Sequence, residues 1–231
     1  MLTLFSYPEL FGVADNNPYG LKIFAFLKLC GLDFRHVHII DTKAAPRGQL
    51  PYIDDDDKIL GDSDRIIAHL SLRNGLTIDR DLSCEQLRID LMLRRLLDDL
   101  YWVMSYSRWS DEAYWPLFRD EMLKANATVT STMLEKAREY NLQRYFYQGV
   151  GRYAPEDVYA RGLADLSALA EMIPEYGFLF GQNPSSADAG VYGFIANIYF
   201  FEIDTPLRLF VDAHKNLVRY CEEIHSKVMV R

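Results

Sequence analysis

The stretch of chain that decides the fold lies between residues 48 and 70, and it predicts two short strands followed by a helix. It begins with Gly48-Gln49-Leu50-Pro51-Tyr52-Ile53 and ends with Gly61-Asp62-Ser63-Asp64-Arg65-Ile66-Ile67-Ala68-His69-Leu70. Strands are predicted over 50–53 and 58–60, because the four aspartates between them are typical of a hairpin turn. Ser63 is a suitable N-cap for the helix that follows. We therefore expect an antiparallel hairpin and then a helix.

The residues before this stretch predict a strand, a helix and a second strand. The strands are expected over 2–6 and 34–40, and the helix over 19–30, with Lys22 outside its apolar stripe. The order is strand, helix, strand, a connection, and then the hairpin and its helix. A right-handed βαβ unit joined to a hairpin and a helix is the thioredoxin-like plan. We expect such a domain over residues 1–73.

From Ser83 onward the sequence predicts helices only. Ser83 and Gln86 form a capping box that opens a long helix with a continuous apolar stripe. A second capping box at 185–188 opens a very apolar helix, and a last helix is expected over 216–228. The second half of the chain is therefore predicted to be an all-helical domain over residues 83–231.

Composition limits the class of protein. The chain has 231 residues, of which 49% are hydrophobic and 25% are charged, and both fractions are ordinary for a folded globular protein. Its formal net charge of -8 argues against nucleic acid or an anionic membrane as the main partner, since both require clustered Lys and Arg. No apolar run is long enough for membrane insertion. Cys30, Cys84 and Cys221 form no CxxC pair and fit a reducing compartment, so we expect a cytoplasmic protein.

The two segments around Pro51 and Ser63 together resemble the glutathione site of glutathione transferases. In that family a proline in a cis bond precedes the hairpin, and an acidic or amide residue followed by Ser comes about a dozen residues later. The resemblance implies the glutathione transferase fold: an α/β, thioredoxin-like N-terminal domain and an all-helical C-terminal bundle. The segment 178–188 is similar to the family's capping-box motif with a buried aspartate, which is a folding element.

A narrower resemblance is carried by Asn17-Pro18-Tyr19-Gly20-Leu21-Lys22 and by two aromatic segments, Leu100-Tyr101-Trp102 and Tyr106-Ser107-Arg108-Trp109. These residues resemble the bacterial branch of the superfamily that is related to metaxins and to failed-axon-connections proteins. The resemblance and the apolar residues of the first long helix, including Leu100, Tyr101 and Met104, predict a homodimer with that helix in or near the interface.

The chemistry of the quoted residues suits the peptide glutathione. A cis bond before Pro51 would turn the N–H and C=O of Leu50 outward, where an extended peptide can pair with them as an added strand. Ser63 at a helix N-terminus favours a carboxylate, and Asp62 can accept from an ammonium group. Lys43 is within reach of a glycine carboxylate. We expect glutathione as the co-substrate, no metal, and these binding residues: Lys43, Gln49, Leu50, Pro51, Asp62 and Ser63.

The contact to the glutathione sulfur is left open by the sequence. A free thiol has a pKa near ~8.5, so a transferase must stabilise the thiolate. The family places a Ser, Cys or Tyr before the first helix, whereas this chain has Asn17, and Gly20 stands where some relatives have a second cysteine. The Asn17 amide can donate to a thiolate, although Asn followed by Pro is also typical of a helix cap. Tyr7 and Ser6, at the end of the first strand, are the alternatives.

Aromatic residues near the end of the first long helix are candidates for the wall of the electrophile pocket, as the resemblance implies. Ordinary packing in the core or a dimer is an equally good interpretation for each of them. His36 and His38 share a strand face and are interpreted as strand residues rather than metal ligands. The predicted pocket residues are Tyr101, Tyr106 and Trp109.

Two functions are compatible with these residues. The first is a glutathione transferase, with weak or specialised activity, that conjugates glutathione to a small hydrophobic electrophile, as in detoxification. The second is a non-catalytic scaffold on the same fold, as the resemblance to metaxins implies. The intact Leu50–Pro51 and Asp62–Ser63 segments favour the enzyme, and the Asn at position 17 favours the scaffold.

Overall fold

A four-stranded sheet with two helices is followed by a bundle of helices in the computed structural model, which describes residues 1–229. The first part comprises β1 (Leu2–Ser6), α1 (Pro18–Leu29), β2 (Arg35–His38), β3 (Tyr52–Asp55), β4 (Lys58–Gly61) and α2 (Ser63–Asn74). The second part comprises α3 (Cys84–Trp109), α4 (Trp115–Ala125), α5 (Ser131–Gln148), α6 (Pro155–Met172), α7 (Ser186–Tyr199), α8 (Pro206–Ala213) and α9 (Lys215–Val228). Short 3-10 turns lie at Pro46–Gly48 and Val150–Arg152.

The sheet has the strand order β2-β1-β3-β4, in which β1 pairs with β2 in parallel and with β3 antiparallel, and β3 and β4 form the hairpin. Leu4 in the central strand lies opposite His36 on one side and Ile53 on the other. The predicted thioredoxin-like arrangement and the helical second half are confirmed. Strand β3 begins at Tyr52 rather than at residue 50, because Pro51 has no N–H to donate to a ladder.

Helix α2 begins one residue earlier than the predicted cap implies. Its N-cap is Asp62, whose carboxylate accepts a hydrogen bond from the Arg65 N–H at 3.2 Å, and Ser63 is the first helical residue. The prediction that Ser63 is the cap is therefore wrong by one position. Asp62 has a φ of 78° and a ψ of 119°, a positive-φ conformation that is uncommon for residues other than glycine.

Helix α1 is buried almost all the way round, because the sheet covers one side and α7 the other. The two helices touch backbone to backbone at Gly193. A Cβ there would lie 2.5 Å from the Pro18 carbonyl oxygen and 2.9 Å from the Lys22 nitrogen. At Gly190, one turn earlier in α7, a Cβ would meet the nearest atom, of Leu97, at 3.8 Å. The second half of the chain thus holds the first turn of α1 in place.

A buried arginine fixes the loop that precedes α1. Arg108 donates to the Asn16 carbonyl at 2.6 Å and to the backbone and side-chain oxygens of Asn197, and its guanidinium lies 4.6 Å from the centre of the Phe201 ring. Burial lowers the pKa of Arg108 to about 10. Asn197 in turn donates to the Asp15 carbonyl at 3.1 Å. These bonds satisfy the buried loop carbonyls and attach the loop to the helical part.

The capping box at the start of α7 is present as predicted. The Asp188 carboxylate, which is fully buried, accepts from the N–H and the hydroxyl of Ser185 at 2.7 and 2.6 Å. It also accepts from the Leu179 N–H at 2.9 Å and from the Tyr220 hydroxyl at 2.7 Å. Four donors from three segments of chain therefore meet at one side chain, which makes Asp188 a folding element.

The surface of α3 differs from the expectation for a dimer contact. Leu100 and Met104 are buried within the chain itself, because they face the α3 side that packs on other helices. The exposed apolar residues of α3 lie nearer to its start: Leu87, Leu91 and Met92. Within residues 1–229, none of the helices has the length and apolar character needed to cross a membrane.

Candidate functional site

The groove beside Leu50 has the backbone geometry that was expected. The Leu50–Pro51 peptide bond is cis. The N–H and C=O of Leu50 form no hydrogen bond with another of the described residues. The Leu50 side chain packs with Ala45 and Tyr52 in a small apolar cluster, and the half-buried Tyr7 lies against this cluster. An extended peptide therefore has a free main-chain donor and acceptor to pair with at Leu50.

The start of α2 brings a hydroxyl and a buried cation together. Lys22, which is only 5% exposed, donates from Nζ to the Ser63 hydroxyl oxygen at 3.2 Å. Because the Ser63 oxygen accepts from Lys22, its own proton is free to be donated to another acceptor. The expectation that Lys22 lies outside the apolar stripe of α1 is wrong, since the α7 side of α1 is buried as well.

Lys22 belongs to a chain of alternating charges between α1, α2 and α3. It forms an ion pair with Asp64, which also accepts from Arg94 at 3.1 Å, and Arg94 in turn pairs with Asp90 at 3.0 Å. Burial raises the pKa of Asp64, but Lys22 and Arg94 outweigh it and bring the pKa below its usual value. The network fixes the Lys22 ammonium beneath Ser63.

Arg47, rather than Lys43, is the cation beside the other predicted groove residues. Arg47 donates to the Gln49 side-chain oxygen at 3.1 Å and lies 3.4 Å from the Asp62 carboxylate. Lys43 is 91% exposed, and its Nζ lies 3.8 Å from Asp41. Among residues 1–229 it forms no hydrogen bond or ion pair with Gln49 or Asp62. The structure thus brings Gln49 and Asp62 together through Arg47 and does not bring Lys43 to them.

Asn17 caps α1, as the Asn-Pro dipeptide suggests. Its side-chain oxygen accepts from the Tyr19 N–H at 3.0 Å, and its own N–H donates to Asp15 at 2.7 Å. Pro18 has no N–H, and the N–H groups of Tyr19 and Leu21 donate to Asn17. Most backbone donors of the first turn are therefore engaged or missing. The Asn17 side-chain nitrogen has no hydrogen-bond partner within the part of the chain that the structure describes. It is the donor that Asn17 can offer to a bound sulfur.

A fully buried carboxyl group lies directly under this helix start. Burial raises the pKa of Asp15 well above its usual value, although the Asn17 N–H opposes the change. A Cβ on Gly20 would lie 1.5 Å from an Asp15 carboxylate oxygen. Position 20 can therefore carry no side chain while the Asp15 carboxylate occupies this place.

Tyr7 connects the Leu50 cluster to the helical part. Burial, together with the neighbouring Tyr101, raises the pKa of Tyr7 to about 12, so its hydroxyl keeps its proton at neutral pH. Tyr7 can therefore donate a hydrogen bond beside the Leu50 cluster.

The three predicted pocket residues are not equivalent in the structure. Tyr101 is half-buried and contacts Tyr19, with ring centres 5.3 Å apart. Tyr106 is buried in the helical core, where it packs against Tyr145 at 6.1 Å. Trp109 stacks on Trp115 at 5.4 Å. Tyr101 thus faces the start of α1, whereas Tyr106 and Trp109 have the packing role that was the alternative interpretation.

The two histidines of β2 make protein contacts. The His36 Nε2 lies 2.7 Å from the Ser6 hydroxyl oxygen, and the His38 Nδ1 lies 2.8 Å from the Tyr7 carbonyl oxygen. Burial lowers the pKa of His36 to about 4. Over residues 1–229, no three His, Cys, Asp or Glu side chains come together in a group that could hold a metal ion.

Sequence reasoning missed two arginines of this region. Arg47 follows Pro46 in a turn directly before Gln49, and a basic residue in that place is a signal that was available. Arg144 comes from α5, whose boundaries were not predicted, and only the folded chain brings it to the Tyr101 ring.

Two family models match the chain. They are described as the glutathione S-transferase N-terminal domain, which matches residues 18–114, and the glutathione S-transferase C-terminal domain, which matches residues 162–224. A solved glutathione S-transferase of Ceriporiopsis subvermispora in complex with glutathione is 12% identical, with a TM-score of 0.65 and coverage of 100% of this chain and 98% of that one. At that identity the likeness concerns the fold alone.

Curated relatives extend over nearly the whole chain. An isoprene-epoxide–glutathione S-transferase of Rhodococcus sp. (strain AD45) is 32% identical, and the match covers 98% of this chain and 99% of that protein. Failed axon connections of Drosophila melanogaster is 25% identical over 91% of this chain and 54% of that protein. A Metaxin-1 homolog of Caenorhabditis briggsae is 23% identical over 97% of this chain and 73% of that protein. The predicted relation to metaxins and to failed-axon-connections proteins is confirmed, and the chain belongs to the glutathione S-transferase family.

Proposed function

We propose that this chain is a glutathione transferase, which binds glutathione beside Leu50 and joins its sulfur to a small electrophile. The observation that carries the proposal is the contact of the buried Lys22 with Ser63, 3.2 Å apart, at the start of α2. It combines a buried positive charge, a hydroxyl with a free proton and a helix N-terminus, which together suit a carboxylate. The γ-glutamyl carboxylate of glutathione is such a group.

The rest of the peptide would follow the groove. The main chain of Leu50 pairs with the cysteinyl residue as an added strand. Asp62 accepts from the γ-glutamyl ammonium, and Gln49 faces the peptide beside Arg47. Arg47 contacts both Gln49 and Asp62 and orients the Asp62 carboxylate for this ammonium, and the contact of Lys43 with the glycine carboxylate at the other end of the peptide stays part of the proposal.

The sulfur would lie near the start of α1. The Asn17 side-chain nitrogen donates to the thiolate and lowers the pKa of the bound thiol. A neutral amide at a helix start whose other donors are engaged stabilises a thiolate less than a hydroxyl with free choice of direction. We therefore expect weak conjugation of general aryl halides.

An epoxide is the first electrophile to try. The relative from Rhodococcus is named for its action on an isoprene epoxide, and the match covers 98% of this chain and 99% of that protein. An epoxide would also use the hydroxyl of Tyr7 as a hydrogen-bond donor to its ring oxygen. Detoxification of such compounds, and a cytoplasmic location, are the setting that we propose.

Binding of glutathione to the Ser63→Ala variant tests the proposal by isothermal calorimetry. We expect affinity to fall by about 1.5–3 kcal/mol, or roughly 10- to 150-fold, as for a lost hydrogen bond to a charged group. Because the substitution also removes an acceptor of the buried Lys22 ammonium, the apo melting temperature should fall by about 2–4 °C, which corresponds to about 1 kcal/mol, and binding is compared at a temperature where both proteins are folded. Ser71→Ala, in the same helix, is the matched control and should bind as the wild type does. Equal affinity of both variants would remove Ser63 from the site.

The second candidate is a non-catalytic scaffold, which the Metaxin-1 relatives suggest. One observation favours it: the donors at the start of α1 are mostly engaged, and no thiol or hydroxyl stands at position 17. Wild-type protein that binds no glutathione at millimolar concentration would favour this alternative.

The assembly and the division of the chain are further parts of the proposal. A homodimer would bury the exposed apolar residues at the start of α3, Leu87, Leu91 and Met92. The units that we propose are 1–73 and 83–231. Light scattering at micromolar concentration measures the mass, and a monomer would reject the dimer.

A further inference from the structure

We propose that Arg144, together with the hydroxyl of Tyr7, binds the oxygen atom that an epoxide releases when the glutathione sulfur attacks its ring carbon. The inference rests on the proposed function and names the substrate class of the same site. It assigns a role to a residue of α5 that lies outside the sheet and the groove.

Arg144 is a half-buried cation that lacks an anion. One of its terminal nitrogens donates to the Asn141 side chain at 2.9 Å, and across residues 1–229 no carboxylate pairs with it. The guanidinium is surrounded by the faces of three aromatic rings, at 5.9 Å from the centre of Tyr101, 5.1 Å from Trp102 and 5.7 Å from Tyr140. Such faces attract the cation but accept few of its five N–H donors. Donors therefore remain for a negatively charged oxygen.

Arg144 also lies in the right place relative to the sulfur. Its guanidinium lies 5.9 Å from the centre of the Tyr101 ring, and that ring lies 5.3 Å from the ring of Tyr19, the second residue of α1, whose N–H donates to the Asn17 side chain. Tyr7 directly follows β1 and packs against the Leu50 cluster at the groove. A substrate between Asn17 and Arg144 would therefore have the sulfur on one side and two oxygen-directed donors on the other.

The chemistry of epoxide opening requires such donors. The thiolate, whose proton has gone to solvent, forms a bond from sulfur to a ring carbon, and the carbon–oxygen bond breaks with its electron pair left on oxygen. Arg144 and Tyr7 stabilise the negative charge on this oxygen as it develops. Tyr7 then gives the oxygen its proton and is reprotonated from water, so the product is a hydroxylated thioether of glutathione. Displacement of chloride from an aryl halide requires no such proton.

The test compares the rates at which each variant acts on two electrophiles, an epoxide and an aryl halide. The substrates are 1,2-epoxybutane and 1-chloro-2,4-dinitrobenzene, and the quantity is the ratio of their kcat/KM values. Arg144→Met should lower this ratio at least tenfold. The matched control is Arg152→Met, which removes an exposed arginine that lies 4.6 Å from the Phe146 ring, and it should keep the ratio within twofold of the wild type.

A binding measurement supports the inference even if turnover is slow. S-(2-hydroxybutyl)glutathione and S-butylglutathione differ only in the hydroxyl group that Arg144 and Tyr7 would contact. By calorimetry, Arg144→Met should weaken binding of the first compound at least fivefold more than binding of the second. Circular dichroism of the variant checks that α5 is intact.

Three results would overturn the inference. Equal losses for the epoxide and the aryl halide would make Arg144 a packing residue. A loss confined to a carboxylated halide, such as 4-chloro-3-nitrobenzoate, would mean that it binds a substrate carboxylate. Unchanged kinetics and unchanged binding would remove it from the site. Failure of the proposed function is a separate result, because wild-type protein would then bind no glutathione in the calorimeter.

Discussion

Gly193 is the position where a single added methyl group should disturb the packing of α7 against α1 and lower the stability of the folded chain. In Gly193→Ala the new Cβ would meet the Pro18 carbonyl oxygen at 2.5 Å and the Lys22 nitrogen at 2.9 Å. Both are backbone atoms, which cannot rotate away as a flexible side chain can. Since close-packed atoms tolerate little compression, the first turn of α1 must move by about 0.9 Å to restore an ordinary contact.

The size of the effect follows from two opposing contributions. Overpacking of a well-packed site costs about 1–3 kcal/mol, and Ala is better than Gly in a helix interior by about 1 kcal/mol. Because the obstacles in Gly193→Ala are backbone atoms, the steric cost should lie at the upper end, for a net loss of about 2 kcal/mol. For a chain of this size that corresponds to a fall in melting temperature of about 4–8 °C.

Gly190→Ala is the matched control in the same helix. Its Cβ would find its nearest neighbours, Leu97 and Lys22, at 3.8 and 3.9 Å, which are ordinary contacts. The helix preference of Ala should then raise the melting temperature, by about 2 °C. Thermal unfolding of both variants, followed by circular dichroism without ligand, measures the difference. If Gly193→Ala melts at or above the wild-type temperature, or if the melting temperatures of both variants fall equally, the close approach of α1 and α7 does not limit the size of residue 193.

Three further predictions concern the sulfur, the core and pH. Asn17→Ala should raise the thiol pKa of bound glutathione by about one unit, or ~1.4 kcal/mol, whereas Tyr7→Phe should leave it unchanged. The absorbance of the thiolate, titrated against pH, measures this pKa in both variants. A rise in Tyr7→Phe and none in Asn17→Ala would assign the sulfur contact to Tyr7. Asp188→Ala leaves four buried donors without their acceptor and should cost about 3–5 kcal/mol in urea unfolding, so a loss below ~1 kcal/mol would contradict this role. Because burial lowers the pKa of His36 to about 4, the unfolded chain takes up this proton first as pH falls, and stability declines through the window from about 6.5 to 4. Between pH 7 and 5, His36→Gln should remove at most about 2 kcal/mol of that decline in the free energy of unfolding, and a decline equal to that of the wild type would contradict this role.

Local sequence patterns predicted most elements of the first half of the chain and the starts of two helices that follow it. Turn residues marked the hairpin between β3 and β4, the dipeptide Asn17–Pro18 marked the start of α1, and the two capping boxes marked the starts of α3 and α7. Each of these signals arises from chemistry between residues that are near in sequence. The position of a helix start is set by such local bonds, so it was accurate to within one or two residues.

The errors came from contacts between distant segments. Lys22 was placed outside the apolar stripe of α1, because a stripe predicts one buried face and α1 has two. The sequence of α5 has no clear apolar stripe, because large apolar residues also occur on its exposed side: Tyr140, Phe146 and Tyr147. The boundaries of α5 were therefore not predicted. The role of Arg144 depends on that helix, so the electrophile side of the site could not be derived from spacing. Lys43 and Arg47 are equally basic, and only the fold decides which of them faces Gln49.

The contact between Asp15 and Gly20 restricts the order in which this protein can change during evolution. A cysteine at position 20 would give the site a thiol of its own, but its Cβ would overlap the Asp15 carboxylate. In a lineage that acquired the cysteine first, the Asp15 carboxylate would have to leave its buried position. Replacement of Asp15 by a smaller residue, while position 20 is still glycine, avoids this overlap. A path towards a second thiol at position 20 thus begins at a buried residue of the loop before α1.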